Sequence, residues 1–287
     1  MPRKRRLCGA MAAHMRLLEE YAPFRGRQRT LEQQTTLRRA LPRVTKPPLV
    51  KVPVVVNVVF KKEEQNVSLA KIRSQISVLN RDFGKRNKDR TKVPEPWKGL
   101  AADTRIRFKL AKVTRTETTR ASFSTDDGVK FAGDGGAPAF KPEKNLNLWV
   151  CALANGILGY AQFPGGPAET DGVVIDYRAF GTIGTAEGPF DLGRTATHEV
   201  GHYLNLRHIW ADTEDCSGSD FVADTPNAAG PNYGTPAFPS VSCGNGPHGD
   251  MFINYMDYVD DAAMFLFTAQ QVVRMRAALD TARPALR

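Results

Sequence analysis

Residues 198–208 read HEVGHYLNLRH and hold three of the chain's five histidines. His198 and His202 are four apart. On a helix that spacing puts both imidazoles on one face, one turn apart, where they can share an ion. Glu199 sits beside the first and points toward the ion's open side, the place of a general base. A zinc ion that keeps its fourth position for water needs a third protein ligand. His208 can supply it only if the helix stops, because six further helical residues would turn the face away by about 240°. Asn205 stands where the chain must bend, and after glycine it best tolerates a left-handed turn. The chemistry this predicts is hydrolysis, with zinc on His198, His202 and His208 and with Glu199 moving the proton of a water.

Several elements must position that motif. A helix is predicted over 195–204. Valine-rich residues 49–60 read as a buried strand, and 105–113 alternates with the period of a half-buried one. Residues 146–153 and 172–177 are two more strands, separated by the Gly/Pro-rich stretch ANGILGYAQFPGGPAETDG. Ser68 can cap a helix whose apolar positions are Leu69, Ile72, Ile76, Leu79 and Phe83. Residues 206–262 carry loop chemistry, and the chain closes on FTAQQVVRMRAAL, where Thr268 and Gln271 form a capping box. At the other end, residues 1–46 read as mainly helical, broken near Pro23 and Gly26. They lead into LPRVTKPP, an extended linker.

The net charge of +10 suggests a nucleic-acid partner until its distribution is inspected. Residues 1–46 hold twelve Lys/Arg against three Asp/Glu, whereas the other 241 residues hold 28 against 27. The body is therefore near neutral, which argues against nucleic acid. Between Arg207 and Arg274 there is no Lys or Arg, while 211–261 carries nine acids, an asymmetry that lets head and body attract each other. No apolar run is long enough to span a bilayer. The start MPRKRRLCGAM has no apolar stretch behind its charges, as a signal peptide would. Four cysteines, Cys8, Cys151, Cys216 and Cys243, permit disulfides without proving them. Cys151, in a strand, reads as a buried thiol.

HEVGHYLNLRH resembles the extended zinc signature of the metzincin metalloproteases, with Asn205 in place of the usual glycine, and NYMDY (254–258) resembles their Met-turn. Together with GYAQFPGG, DFVADTP and MFINYMDY, the chain most closely resembles the pappalysin family, in particular its ulilysin-like microbial members. The resemblance implies that Met256 is an apolar floor beneath the imidazoles. It implies that Tyr258 donates a hydrogen bond to the tetrahedral intermediate. Asp261 would lie at the base of the pocket for the side chain after the scissile bond, favouring Arg over Lys by bidentate pairing. It further implies structural calcium near Asp220 and Thr225, whose oxygens suit a hard cation. Cys8 would occupy the zinc's fourth position in a latent form, its thiol acidified by neighbouring arginines. Cys216 and Cys243 flank the acidic loop. A bridge between them would close about 28 residues, contribute roughly 3 kcal/mol and imply an oxidising compartment.

The expected fold class is α+β: a zincin-like (metzincin) catalytic domain with a twisted mixed sheet, an active-site helix and a loop-rich C-terminal subdomain, preceded by a prosegment. The expected division is 1–46 as inhibitory prosegment and 47–287 as catalytic domain, split at 205/206. The expected function is that of a secreted, monomeric zinc endopeptidase with a cysteine switch, dependent on zinc and calcium and cleaved near Arg43 for activation. Its partners would be polypeptide substrates and its own prosegment, with no nucleic acid and no membrane. A zinc-bound module of the same fold without turnover is the alternative.

Overall fold

Strand β1 (Val50–Phe60) is valine-rich and buried on both faces, as a central strand of a largely parallel sheet must be. The computed structural model, which describes residues 5–40 and 47–287, places it between β2 (Ile106–Glu117) and β3 (Leu146–Cys151). With β4 (Gly159–Ala161) and β5 (Val173–Asp176) the sheet order is β2-β1-β3-β5-β4. All pairs are parallel except β4 with β5. The predicted strand over 105–113 runs on to Glu117. As the sheet's edge it carries Arg107, Lys109, Lys112 and Arg115, charges of the kind that discourage edge-to-edge pairing. The short β4 lies inside the stretch read as loop.

Two helices come first, α1 (Ala10–Glu20) and α2 (Ala22–Ala40). The break expected near Pro23 and Gly26 falls instead at Tyr21. Pro23 sits in the first turn of α2, where a missing N–H costs nothing. The predicted linker and Arg43 lie within 41–48, of which 41–46 are outside the described residues. Then follow α3 (Leu69–Asp82), the single turn α4 (Glu95–Lys98), α5 (Arg194–Tyr203) and α6 (Ala269–Thr281). The Ser68 hydroxyl accepts from Lys71 N at 3.2 Å, and Thr268 with Gln271 forms a reciprocal capping box, both as predicted.

The alternate residues Val52, Val54, Val56 and Val58 of β1 share one core with Ile72, Leu79 and Phe83 of α3 and with Ala196, Val200 and Tyr203 of α5. That core seats α5 under the sheet. The opposite face is covered by a smaller cluster, Phe123, Val129, Trp149 and Tyr160. Residues 206–268 contain no long regular element. Cys216 and Cys243 are bridged there, with Cα atoms 5.4 Å apart, while Cys8 and Cys151 are free thiols, the latter buried. Among the described residues no helix is long and apolar enough to cross a membrane.

Candidate active site

Helix α5 is buried along its whole length and presents His198 and His202 one turn apart. It ends where the sequence requires. Asn205 has φ of +73°, its N–H bonds to His202 O at 2.8 Å, and Leu206 N bonds back to Gly201 O at 2.9 Å. This left-handed cap swings His208 toward the other two. The three Nε2 atoms stand 3.1, 3.2 and 3.0 Å apart. Tetrahedral bonds to one zinc ion would space three imidazole nitrogens by about 3.3 Å.

Each ring is aimed by an oxygen on its far side. His198 Nδ1 bonds to Tyr255 O at 2.7 Å, His202 Nδ1 to Leu206 O at 2.8 Å, and His208 Nδ1 to Asp212 Oδ1 at 2.5 Å. With those Nδ1 protons engaged, the Nε2 lone pairs face one another, which suits a shared cation. Burial, then the neighbouring imidazoles, pushes His198 and His202 well below the ordinary histidine range. Trp210 stacks on His208 with ring centroids 4.4 Å apart. Met256 is buried beneath α5. A Cβ on Gly201 would come within 2.4 Å of its Sδ, so the glycine of HEVGH is demanded by the methionine below it.

Glu199 is buried, and a Cβ on Gly159 would come within 2.9 Å of its Cγ. Burial pushes the Glu199 carboxyl up to about 8, against the lowering effect of a hydrogen bond from Cys8 and of nearby Arg6. Tyr258 packs edge-on against His208, centroids 4.9 Å apart, and burial raises its hydroxyl, with Cys8 and Glu199 adding to the shift.

Residues 5–9 lie over this cluster. Gly9 N donates to Gly159 O and Leu158 N to Leu7 O, each at 2.9 Å, so the segment pairs with the start of β4 through one parallel bridge at Cys8. Cys8 Sγ is 3.4 Å from Glu199 Oε2, and the group Cys8, His198, His202 and His208 has its ligand atoms all within 4.8 Å of one another. Burial, then the Glu199 carboxylate, pushes the Cys8 thiol well above its ordinary value. The Arg6 guanidinium fills a buried slot, with Nη2 2.6 Å from Asp261 Oδ1, Nη1 3.0 Å from Thr195 Oγ1 and Nε 3.2 Å from Val259 O. Asp261 is fully buried, and its other oxygen accepts from Leu192 N and Arg194 N at the start of α5.

Asp220 and Thr225 are drawn together in a different arrangement. Asp220 Oδ1 accepts from Val222 N at 3.0 Å and Oδ2 from Thr225 Oγ1 at 2.7 Å, an Asx-type turn that gives each carboxylate oxygen one donor. Four participants escaped the reading of the motif: Arg6, Asp212, Gly159 and Gly201. Only Gly201 leaves a local signal, as a glycine inside a helix.

A buried trio of imidazoles, a carboxylate beside it, a left-handed exit from the helix and a methionine floor under a mixed sheet define a zinc-dependent metalloendopeptidase of the metzincin type. Residues 136–280 match the M43 peptidase family model, described as pregnancy-associated plasma protein-A. An extracellular metalloprotease of Arthroderma otae is 30% identical over 74% of this chain and 72% of its own length. Mature mirolysin of Tannerella forsythia, solved with a cleaved peptide, has a TM-score of 0.83 at 48% identity, over 84% of this chain and 96% of that one. A promirolysin variant from the same organism has a TM-score of 0.89 at 44% identity, over 98% and 97%. The chain belongs to the M43, or pappalysin, family of metallopeptidases.

Proposed function

We propose that this chain is a secreted, latent endopeptidase that cleaves before arginine in preference to lysine, and that residues 1–46 are its inhibitory prosegment. The carrying observation is Arg6, seated against Asp261 while Cys8, two residues on, faces Glu199 and the imidazoles. A slot that accepts a guanidinium on three oxygens is suited to an arginine side chain. In this reading Asp261 and Thr195 select the residue after the scissile bond, and Cys8 would hold the fourth position beside His198, His202 and His208. Support for latency comes from the promirolysin likeness, which extends over nearly the whole chain.

A zinc ion held by His198, His202 and His208 would supply a Lewis acid for the scissile carbonyl and for the attacking water. Glu199 takes up the proton of the attacking water and hands it to the departing amine. Tyr258 donates its hydroxyl to the carbonyl oxygen as that oxygen gains charge. Met256, through Gly201, holds the helix that carries the ligands. The Leu7 and Gly9 contacts leave with the prosegment, freeing the β4 edge for a peptide.

The finer readings follow from the same arrangement. Release needs a cut between α2 and β1, near Arg43. The disulfide and the extracellular naming of relatives support export, and we read the enzyme as a monomer. Structural calcium is proposed for the loop around Asp220 and Thr225, on the strength of its clustered oxygens. EGTA titration with a melting curve tests it: an unchanged melting temperature removes calcium from the account.

The principal test uses peptides differing only in the residue after the scissile bond, offered to the full chain before and after cleavage of the linker. Cleaved material should prefer Arg over Lys over norleucine, and Asp261→Asn should erase that order. Equal rates for all three peptides with the wild-type enzyme would refute the specificity. Full activity of the uncut chain would refute latency.

A further inference from the structure

Arg6 has an exposed neighbour, Arg5, whose guanidinium carbon lies 4.9 Å from the centre of the Tyr233 ring. The guanidinium of Arg6 rests over Phe190 at the same distance. Cys8 faces the imidazoles, Arg6 fills the Asp261 slot, and Arg5 comes one residue further along the segment. Consecutive side chains of an extended chain point to opposite faces. Arg6 accordingly is buried and Arg5 stays at the rim.

Tyr233 belongs to the wall that forms the slot. Its neighbour Gly234 bridges to Val259 and accepts from Asp260 N at 2.8 Å. Val259 in turn gives its carbonyl to Arg6 Nε at 3.2 Å. The Tyr233 ring stands 6.0 Å from that of Tyr258, which packs on His208. On the other side of Tyr233, Asn232 N and Nδ2 donate to the two oxygens of the fully buried Asp257, at 2.9 and 3.0 Å. The half-buried ring is thus held by its own loop, without help from Arg5. Its surroundings are acidic. Burial raises the Tyr233 hydroxyl, Arg5 lowers it, and Asp257 and Glu214 raise it again. When the segment leaves, the ring loses its cation, and no Lys or Arg between 207 and 274 is there to replace it.

We propose that Tyr233 forms the subsite for the second residue after the scissile bond and selects a cationic side chain there, arginine above all, by cation–π contact. This assignment rests on the reading of Asp261 as the pocket for the first residue after the bond. The order of metal position, slot and ring then sets the side of the cut, whichever way the bound chain runs. Arg5 and Arg6 are consecutive, so slot and ring are spaced for consecutive side chains. Substrates are those with two adjacent basic residues after the cut, the first held by ion pairing and hydrogen bonds, the second by stacking.

The test uses the full-length chain after proteolytic activation. Competing peptides keep Arg as the first residue after the scissile bond and carry Arg or citrulline, its uncharged isostere, as the second. The wild-type enzyme should favour the Arg peptide in kcat/KM by about two- to fivefold, the scale of an exposed cation–π contact. Tyr233→Phe should keep that ratio and Tyr233→Leu should bring it near one, while the preference for Arg as the first residue persists in both. Equal rates for Arg and citrulline with the wild-type enzyme overturn the proposal with no variant needed, so a folding defect in Tyr233→Leu cannot shield it. A ratio that survives in Tyr233→Leu also overturns it and leaves Tyr233 as a prosegment contact only. If the wild-type enzyme instead ignores the first residue after the bond, the Asp261 reading fails separately.

Discussion

His198 and His202 reach the metal position from helix α5, whereas His208 reaches it from a stretch with almost no regular structure. The first two are placed by backbone periodicity, on a helix packed under the sheet through Ala196 and Val200. The third is placed by individual side chains: the left-handed Asn205, the Asp212 carboxylate behind the ring, Trp210 stacked upon it, and the Cys216–Cys243 bridge further along. In the helical half the backbone sets where each ligand stands, so a change of charge at Glu199 should leave the histidines in place. In the loop half the side chains are the framework, and a change of chemistry is also a change of shape.

Four tests probe that contrast, beginning with the largest effect. Glu199→Gln lies in the helical half, so it should lower kcat by about a thousandfold or more while metal content and melting temperature stay at the wild-type level. Loss of metal in that variant would mean that α5 does not hold its geometry by periodicity. Replacing Cys216 and Cys243 together by Ser, in the loop half, should cost roughly 3 kcal/mol. A thermal melt should record it as a drop of several degrees; a shift within error would make the bridge incidental. Asp212→Ala should weaken metal binding by about 10- to 100-fold, read by competition with a chelator, with little change in the fold. Unaltered affinity would show that His208 is aimed by packing alone. Asn205→Ala should destabilise by about 1–2 kcal/mol through its positive φ, and Asn205→Gly should be close to neutral. If the two variants behave alike in a urea titration, the bend is held by something other than backbone conformation.

The same contrast decided what was legible in the sequence. The helical half carries its information locally, in composition, periodicity and caps: the valine-rich run of β1, Ser68 before α3, the four-residue spacing of His198 and His202, and the Thr268–Gln271 capping box. Asn205 was legible too, because the chemistry demanded a bend and only a few residue types tolerate one. Two kinds of feature were not. β4 is three residues long and includes Gly159, too short for alternation to register, and it exists because β5 and the N-terminal segment pair with it. Arg6 meets Asp261 across 255 positions, and nothing in the spacing of either announces the other. Asp220 and Thr225 show a different limit. Composition predicted their proximity, but whether two oxygens face a cation or a backbone amide depends on the direction the turn takes.

The two rims of the sheet are guarded in unlike ways. β2 is protected by permanent charge, while β4 is covered only by the residues around Cys8. On the proposed activation, release of residues 1–46 would do more than uncover a reactive centre. It leaves an open seam of unmet N–H and C=O groups that any extended chain can zip into, so the stored protein should be the well-behaved one and the working protein the sticky one.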